Sequence, residues 1–155
     1  MSVLTFHETR EDRNRERAVA EWFAKAWGLQ AFEMPETYVL DYTFHLGDPL
    51  RSDVRFFAEI RTRTCVWATY PDVFLNMKKL QYADWLRTQG FKTLFLVNFS
   101  CGTMAWTELI RPSGFRVAGR AKTKMRNSED VEPLCYFNND RFEVLHEGER
   151  GVQKA

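Results

Sequence analysis

The sequence is poor in the features that mark several common protein classes. It has three cysteines, Cys65, Cys101 and Cys135, odd in number, widely spaced and without a CxxC pair. A disulfide framework and a zinc site are therefore not expected, and free buried thiols in a reducing compartment fit better. His7, His45 and His146 lie far apart, and no HxxxH, GxSxG or GxxxxGK[ST] pattern occurs. Zinc-hydrolase, serine-hydrolase and nucleotide-driven motor chemistry thus lack their usual carriers. No apolar run approaches the length of a membrane span. The opening MSVLTFHETREDRNRER has no apolar core of signal-peptide length. The expectation is a cytoplasmic protein, of a cell or of a virus-infected cell, with no membrane partner. Net charge is also small: 22 Lys and Arg against 21 Asp and Glu give +1. Any nucleic-acid affinity must come from local clusters of cations.

What is present is material for one well-filled core. A length of 155 residues favours a single domain, and a 45% hydrophobic content with 15% aromatics excludes a disordered chain. From about residue 8 to Trp27, apolar side chains recur at helical spacing (Ala18, Val19, Trp22, Phe23, Ala26, Trp27), and Gly28 stops the helix. Residues 38–44 (YVLDYTF) and 54–64 (VRFFAEIRTRT) read as extended segments joined by the turn residues Gly47, Asp48 and Pro49. They form an expected hairpin. Tyr70-Pro71 breaks the chain, a second helix runs over about 76–89 with Gly90 as its stop, and KTLFLVNF (92–99) has the continuous apolar run of a strand covered on both faces. Its expected hairpin partner is 103–110, with short strands near 115–118, 134–137 and 142–145. The order is α-β-β-α-β-β with a β-rich end. It predicts an α/β domain over 1–146, a central mixed β-sheet flanked by helices, and a polar, frayed tail over 147–155.

Two acids stand out within this pattern. Asp41 closes an apolar segment (Leu40-Asp41), and Glu59 opens Glu59-Ile60-Arg61 in the next one. Neighbouring strands lie about 5 Å apart, so two carboxylates on one sheet face can share a cation. Glu59 alternates with Ala58 and Ile60 in a strand that should be largely covered, and a buried carboxylate needs a metal or a cation beside it. Mg²⁺ suits such a pair, because it binds one or two carboxylates and keeps waters or phosphate oxygens in its other positions. The plain alternative pairs Glu59 with Arg61 or Arg63, and Asp41 with a surface lysine.

From Arg13 to Phe99 the order of elements and the residues Asp41 and Glu59-Ile60-Arg61 resemble the PD-(D/E)XK nuclease superfamily, the restriction-endonuclease-like fold. The resemblance implies a metal-dependent endonuclease that hydrolyses phosphodiester bonds in DNA, branched or phage DNA among the substrates, with Mg²⁺ or Mn²⁺ held by Asp41 and Glu59. The family usually carries Lys two residues after the Glu, where this chain has Arg61. Arginine clamps phosphate but is a poor proton carrier. Either Arg61 stabilises charge alone, or the lysine role has moved to the second helix, to Lys79 or its neighbour Lys78. Many members also use a Glu of the first helix. Glu16, at the edge of the apolar stripe, fits better than Glu21, which lies nearly opposite it. Small stand-alone members resemble junction resolvases or phage endonucleases, which often work as dimers.

Arg116, Arg120, Lys122, Lys124 and Arg126 form a further pattern. An extended chain would present the cations from Arg120 onward on one face, where they can track phosphates or simply keep an edge strand from aggregating. The five tryptophans read as core and shell residues, with base stacking by Trp67 as the alternative. The missing motif lysine leaves a second reading: a catalytically inactive nuclease fold with a structural role, for instance a phage particle component partnered by virion proteins. A third is a module that grips nucleic acid without cutting.

Overall fold

Residues 10–119 and 131–148 are the described part of the computed structural model. They form helices α1 (Arg10–Trp27) and α2 (Met77–Thr88) and nine strands. The strands are β1 (Gln30–Glu33), β2 (Tyr42–His45), β3 (Val54–Thr62), β4 (Asp72–Asn76), β5 (Lys92–Asn98), β6 (Met104–Glu108), β7 (Gly114–Gly119), β8 (Val131–Asn138) and β9 (Glu143–His146). A six-stranded sheet has the order β1-β2-β3-β5-β6-β9, and a three-stranded sheet the order β4-β8-β7. The β3–β5 pair is parallel, in register from Phe56↔Lys92 to Thr62↔Asn98, and the other neighbours are antiparallel. A parallel pair needs a crossover. Here β4 and α2 supply it, so α2 is carried across the sheet next to β3.

The large sheet is covered on both faces. On one side Val19, Ala20, Phe23 and Ala24 of α1 pack on Tyr42, Phe44, Ala58, Ile60, Leu94 and Leu96. On the other, Leu80 and Ala83 of α2 join Val73, Leu75, Cys135 and Phe137 of the small sheet against Phe95, Val97 and Phe99. Strand β5 therefore has apolar neighbours above and below, which is why its sequence is an unbroken apolar run. Both helices stop where expected: Gly28 and Gly90 take φ values of +70° and +93°, a region open to glycine at no steric cost.

Several expectations need correction. Strands β1 and β4 were not foreseen: β1 is a four-residue edge strand with mostly exposed side chains, and β4 is a five-residue alternation hidden between a proline break and a helix. The expected strand over 38–44 begins only at Tyr42, because the preceding chain turns, with Tyr38 N–H bonded to the Pro35 carbonyl at 2.9 Å. In α1 the buried stripe is Val19, Ala20, Phe23 and Ala24, while Ala18 and Ala26 are exposed. Trp85 is 53% exposed rather than a core or shell residue. Trp67 packs on Phe99, ring centroids 5.1 Å apart. All three cysteines are free, but only Cys101 and Cys135 are buried. Within the tail expected to fray, Gly148 is docked, its N–H donating to Thr103 Oγ1 at 3.0 Å. No helix among the described residues is long and apolar enough to cross a membrane.

Asn76 starts α2 and joins it to the small sheet. Its Oδ1 accepts from Lys78 N–H at 2.7 Å and its Nδ2 donates to Glu132 at 2.6 Å. Asn76→Ala should lower unfolding free energy by about 1–2 kcal/mol in urea titrations; an unchanged midpoint would show that the cap contributes nothing.

Candidate active site

The sequence at the C-terminal half of β3 makes a carboxylate unavoidable in the interior. Alternation sends Ala58 and Ile60 to the α1 side and Phe57, Glu59 and Arg61 to the α2 side. Glu59 ends 4% exposed. Beside it, β2 and β3 part. Asp41 is still bonded through its main chain, its N–H donating to Ala58 O at 3.1 Å, but it lies just before β2 rather than within it. Its carboxylate takes over the strand's vacated hydrogen-bond position and accepts from Ile60 N–H at 2.9 Å. The expectation that both acids project from paired strands is corrected accordingly: Asp41 reaches β3 by its side chain, at the mouth of a gap that the parting strands open.

That gap is a cleft of about 540 Å³ lined by Glu16, Asp41, Glu59, Arg61 and Lys79, together with Thr62 and Thr64. Asp12 and Arg15 of α1 also line it and pair with each other. They were missed in the sequence, although Asp12 stands one helical turn before Glu16, a spacing that shares a helix face. Glu16 is half-buried, whereas Glu21 is exposed and away from the cleft. Lys78 is exposed and borders a different hollow with Val39, Tyr82 and Trp85. Arg116 is found in a neighbouring cleft, 3.0 Å from Asp72. Arg120, Lys122, Lys124 and Arg126 lie outside the described residues.

Lys79 comes over Glu59 because α2 crosses there. Its Nζ stands 3.1 Å from Glu59 Oε1, yet its hydrogen bond goes to the Val39 carbonyl. The segment carrying Val39 is itself tied to α2 by a 2.6 Å bond from Tyr82 Oη to Tyr38 Oη. Glu59 Oε1 is thus a buried carboxylate oxygen that faces the Lys79 ammonium without a well-aligned hydrogen bond, with the charges of Asp41 and Arg61 also close. Burial, and then the negative charge of Asp41, push the Glu59 carboxyl up to about 8, against the opposing pull of Lys79 and Arg61. On the α1 side, burial and the carboxylates of Glu33, Glu16 and Asp41 push the Tyr42 hydroxyl up, with Arg17 opposing.

Such a site suits a hard divalent cation that binds through few protein ligands. Among the described residues no three His, Cys, Asp or Glu side chains gather as a complete metal cage. Mg²⁺ does not require one, since waters and substrate phosphates fill most of its positions. The orphaned Glu59 oxygen, the adjacent Asp41 carboxylate and an open cleft fit that requirement.

In the unfolded chain Glu59 ionises near its ordinary value of 4.5, and in the folded chain near 8. Between these values the folded protein keeps a proton the unfolded chain has lost. The stability from this group is full below pH 4.5, falls as pH rises and is gone above about 8. Glu59→Gln removes that slope. With a chelator present, its stability relative to wild type should rise by up to about 4 kcal/mol between pH 5 and pH 9; a constant difference across that range would rule out the raised carboxyl.

Comparison with known proteins agrees with this architecture. A family model described as "phage putative PDDEXK endonuclease" matches residues 4–145. Among solved structures, the Holliday junction resolvase Hjc of Archaeoglobus fulgidus aligns with a TM-score of 0.51 at 10% identity, covering 82% of this chain and 88% of that one. At that identity the likeness is one of fold, the restriction-endonuclease-like sheet flanked by helices. No curated protein matches the sequence.

Proposed function

The chain belongs to the phage PDDEXK endonuclease family, and from that membership we propose that it is a Mg²⁺- or Mn²⁺-dependent endonuclease that cuts DNA at the cleft between α1 and α2. The observation that carries the reading is the buried Oε1 of Glu59, faced by Lys79 but without a well-aligned hydrogen bond, beside Asp41 in an open cleft. Asp41 and Glu59 would hold the cation. When bound, it would neutralise charge on the phosphate and acidify a water.

The chain's own side chains supply the rest. Glu16, across the cleft on α1, accepts the proton of the attacking water. Arg61 points from the same strand face as Glu59 and meets the phosphate oxygens as charge builds on them. Its guanidinium stays protonated, so it stabilises charge and does not shuttle protons. Lys79, at ion-pair distance from Glu59, would be placed to stabilise charge on the phosphate. Together Arg61 and Lys79 divide the work that one motif lysine does elsewhere in the superfamily. On this reading the protein acts in the cytoplasm of an infected cell, and the likeness to a junction resolvase makes branched DNA a substrate to set beside linear duplex.

One observation favours the inactive-scaffold reading. Lys79 already sits at ion-pair distance from Glu59, and an internal cation there could replace the metal outright. Mg²⁺ titration separates the two. A thermal shift that grows from pH 6.5 to 8.5, as the cation displaces the Glu59 proton, and disappears in Asp41→Ala supports the enzyme. No shift at either pH supports the scaffold.

Asp41→Ala and Glu59→Ala should each reduce Mg²⁺-dependent cutting of branched and linear DNA by about 10³-fold or more while leaving the protein folded. Arg61→Lys should stay within about tenfold of wild type, and Arg61→Met should lose about 10²–10³-fold. Cutting that survives both acid replacements would overturn the assignment.

A further inference from the structure

A second cleft of about 540 Å³ adjoins the acid cleft and shares Arg61, Thr62 and Thr64 with it. Its outer wall combines cations with aromatic rings. Arg63, just past β3 and still bonded through its N–H to Asn98 O at 2.8 Å, holds its guanidinium 5.3 Å from the centre of the Phe74 ring. Phe74 on β4 is the register partner of Tyr136 on β8. Arg116 lies 4.2 Å above the Tyr136 ring and is fixed by Asp72 at 3.0 Å. Tyr136 fits because its other partner is Gly114, where a Cβ would come within 2.3 Å of the tyrosine hydroxyl. At the rim stands Tyr70, 57% exposed, its carbonyl anchored by Asn139 Nδ2 at 2.6 Å. Among the described residues neither Arg61 nor Arg63 has a carboxylate within 4.0 Å.

Resting on the endonuclease reading, we propose that this cleft receives an unpaired nucleotide of the DNA strand next to the phosphate being cut. Arg61 stands at the junction of the two clefts and belongs to both, so a strand that puts one phosphate over the acids runs directly into the second cleft. Arg61 and Arg63 lie two residues apart on one side of an extended chain, about 6.6 Å along it, close to the separation of successive phosphates in a stretched strand. Guanidinium forks match phosphate oxygens. The exposed Tyr70 ring offers a stacking surface for whichever base follows. A paired base cannot use it, because its faces are already stacked in the duplex and freeing it costs energy. The volume falls in the roughly 300–1,000 Å³ range of pockets for small ligands, which suits a nucleotide and not a duplex. The preferred substrate class is therefore DNA with a single-stranded flank at the cut: a fork, a flap or a frayed end.

The test compares a forked DNA with a fully paired one of the same sequence at the cut, the fork carrying 2-aminopurine at its first unpaired position. Cutting is followed in Mg²⁺, and fluorescence in Ca²⁺, for wild type, Tyr70→Ala, Tyr70→Phe and Arg63→Gln. Wild type should cut the fork about tenfold faster than the duplex and quench the fluorophore. Tyr70→Ala should lose both effects while its duplex cutting stays within about twofold, Tyr70→Phe should keep both, and Arg63→Gln should weaken fork binding. Equal rates on the two DNAs, or a preference and quench unaltered in Tyr70→Ala, would overturn the proposal. Failure to cut any DNA would instead refute the endonuclease reading. The fluorescence would then still decide about the cleft, since quenching lost in Tyr70→Ala upholds it and no quenching refutes it.

Discussion

A carboxylate held out of water with too few hydrogen bonds is the constraint around which this structure is arranged. Glu59 is fixed in the middle of a covered strand, and its Oε1 meets only the Lys79 ammonium, without a well-aligned hydrogen bond. Isolated, an ionised carboxylate there would cost several kcal/mol. Its surroundings reduce the cost only in part: Lys79 and Arg61 favour the ionised form, while Asp41 and burial oppose it and win. A purely structural ion pair would not keep a second acid beside the first. On the endonuclease reading, a divalent cation would convert the unfavourable Asp41–Glu59 proximity into an attraction.

Backbone topology keeps these groups together. The β3–β5 pair is parallel, so the chain must cross over, and α2 on that crossover brings Lys79 above Glu59. The late start of β2 at Tyr42 leaves Ile60 N–H for the Asp41 carboxylate to cap, which fixes that side chain at the mouth of the gap. On the opposite face α1, anchored by Phe23 and Val19, brings Glu16 to the rim. The candidate site residues thus come from four places in the fold: α1 (Glu16), the segment before β2 (Asp41), β3 (Glu59 and Arg61) and α2 (Lys79).

The small sheet gives the site a direction. It covers the α2 face of the core with Val73, Leu75 and Phe137, and turns Phe74 and Tyr136 outward under Arg63 and Arg116. One thin sheet therefore completes the core and furnishes an aromatic, cationic wall beside the acids. Stacking guanidinium on a ring holds it in place while leaving its edge N–H groups free for an anion.

The sequence by itself determined the elements with strong periodicity. The 3.6-residue repeat placed the first helix, the break at Tyr70-Pro71 and the stop at Gly90 bracketed the second, the unbroken apolar run of 92–99 marked the doubly covered β5, and the alternation around Glu59 singled out the acid as an interior one. Asp41 stood out because it closes an apolar segment, whereas Arg61, Lys79 and Glu16 were legible only through the resemblance to the PD-(D/E)XK superfamily. Short elements were not legible: β1 and β4 have four and five residues, too few to establish a period. Only the tertiary structure decided that Asp41 lies outside its strand and that Arg63, Tyr70, Phe74 and Arg116 form one wall. Those facts depend on where β2 separates from β3 and how β4 folds back onto β8. Both are long-range choices made by packing, and no local pattern of residues encodes them.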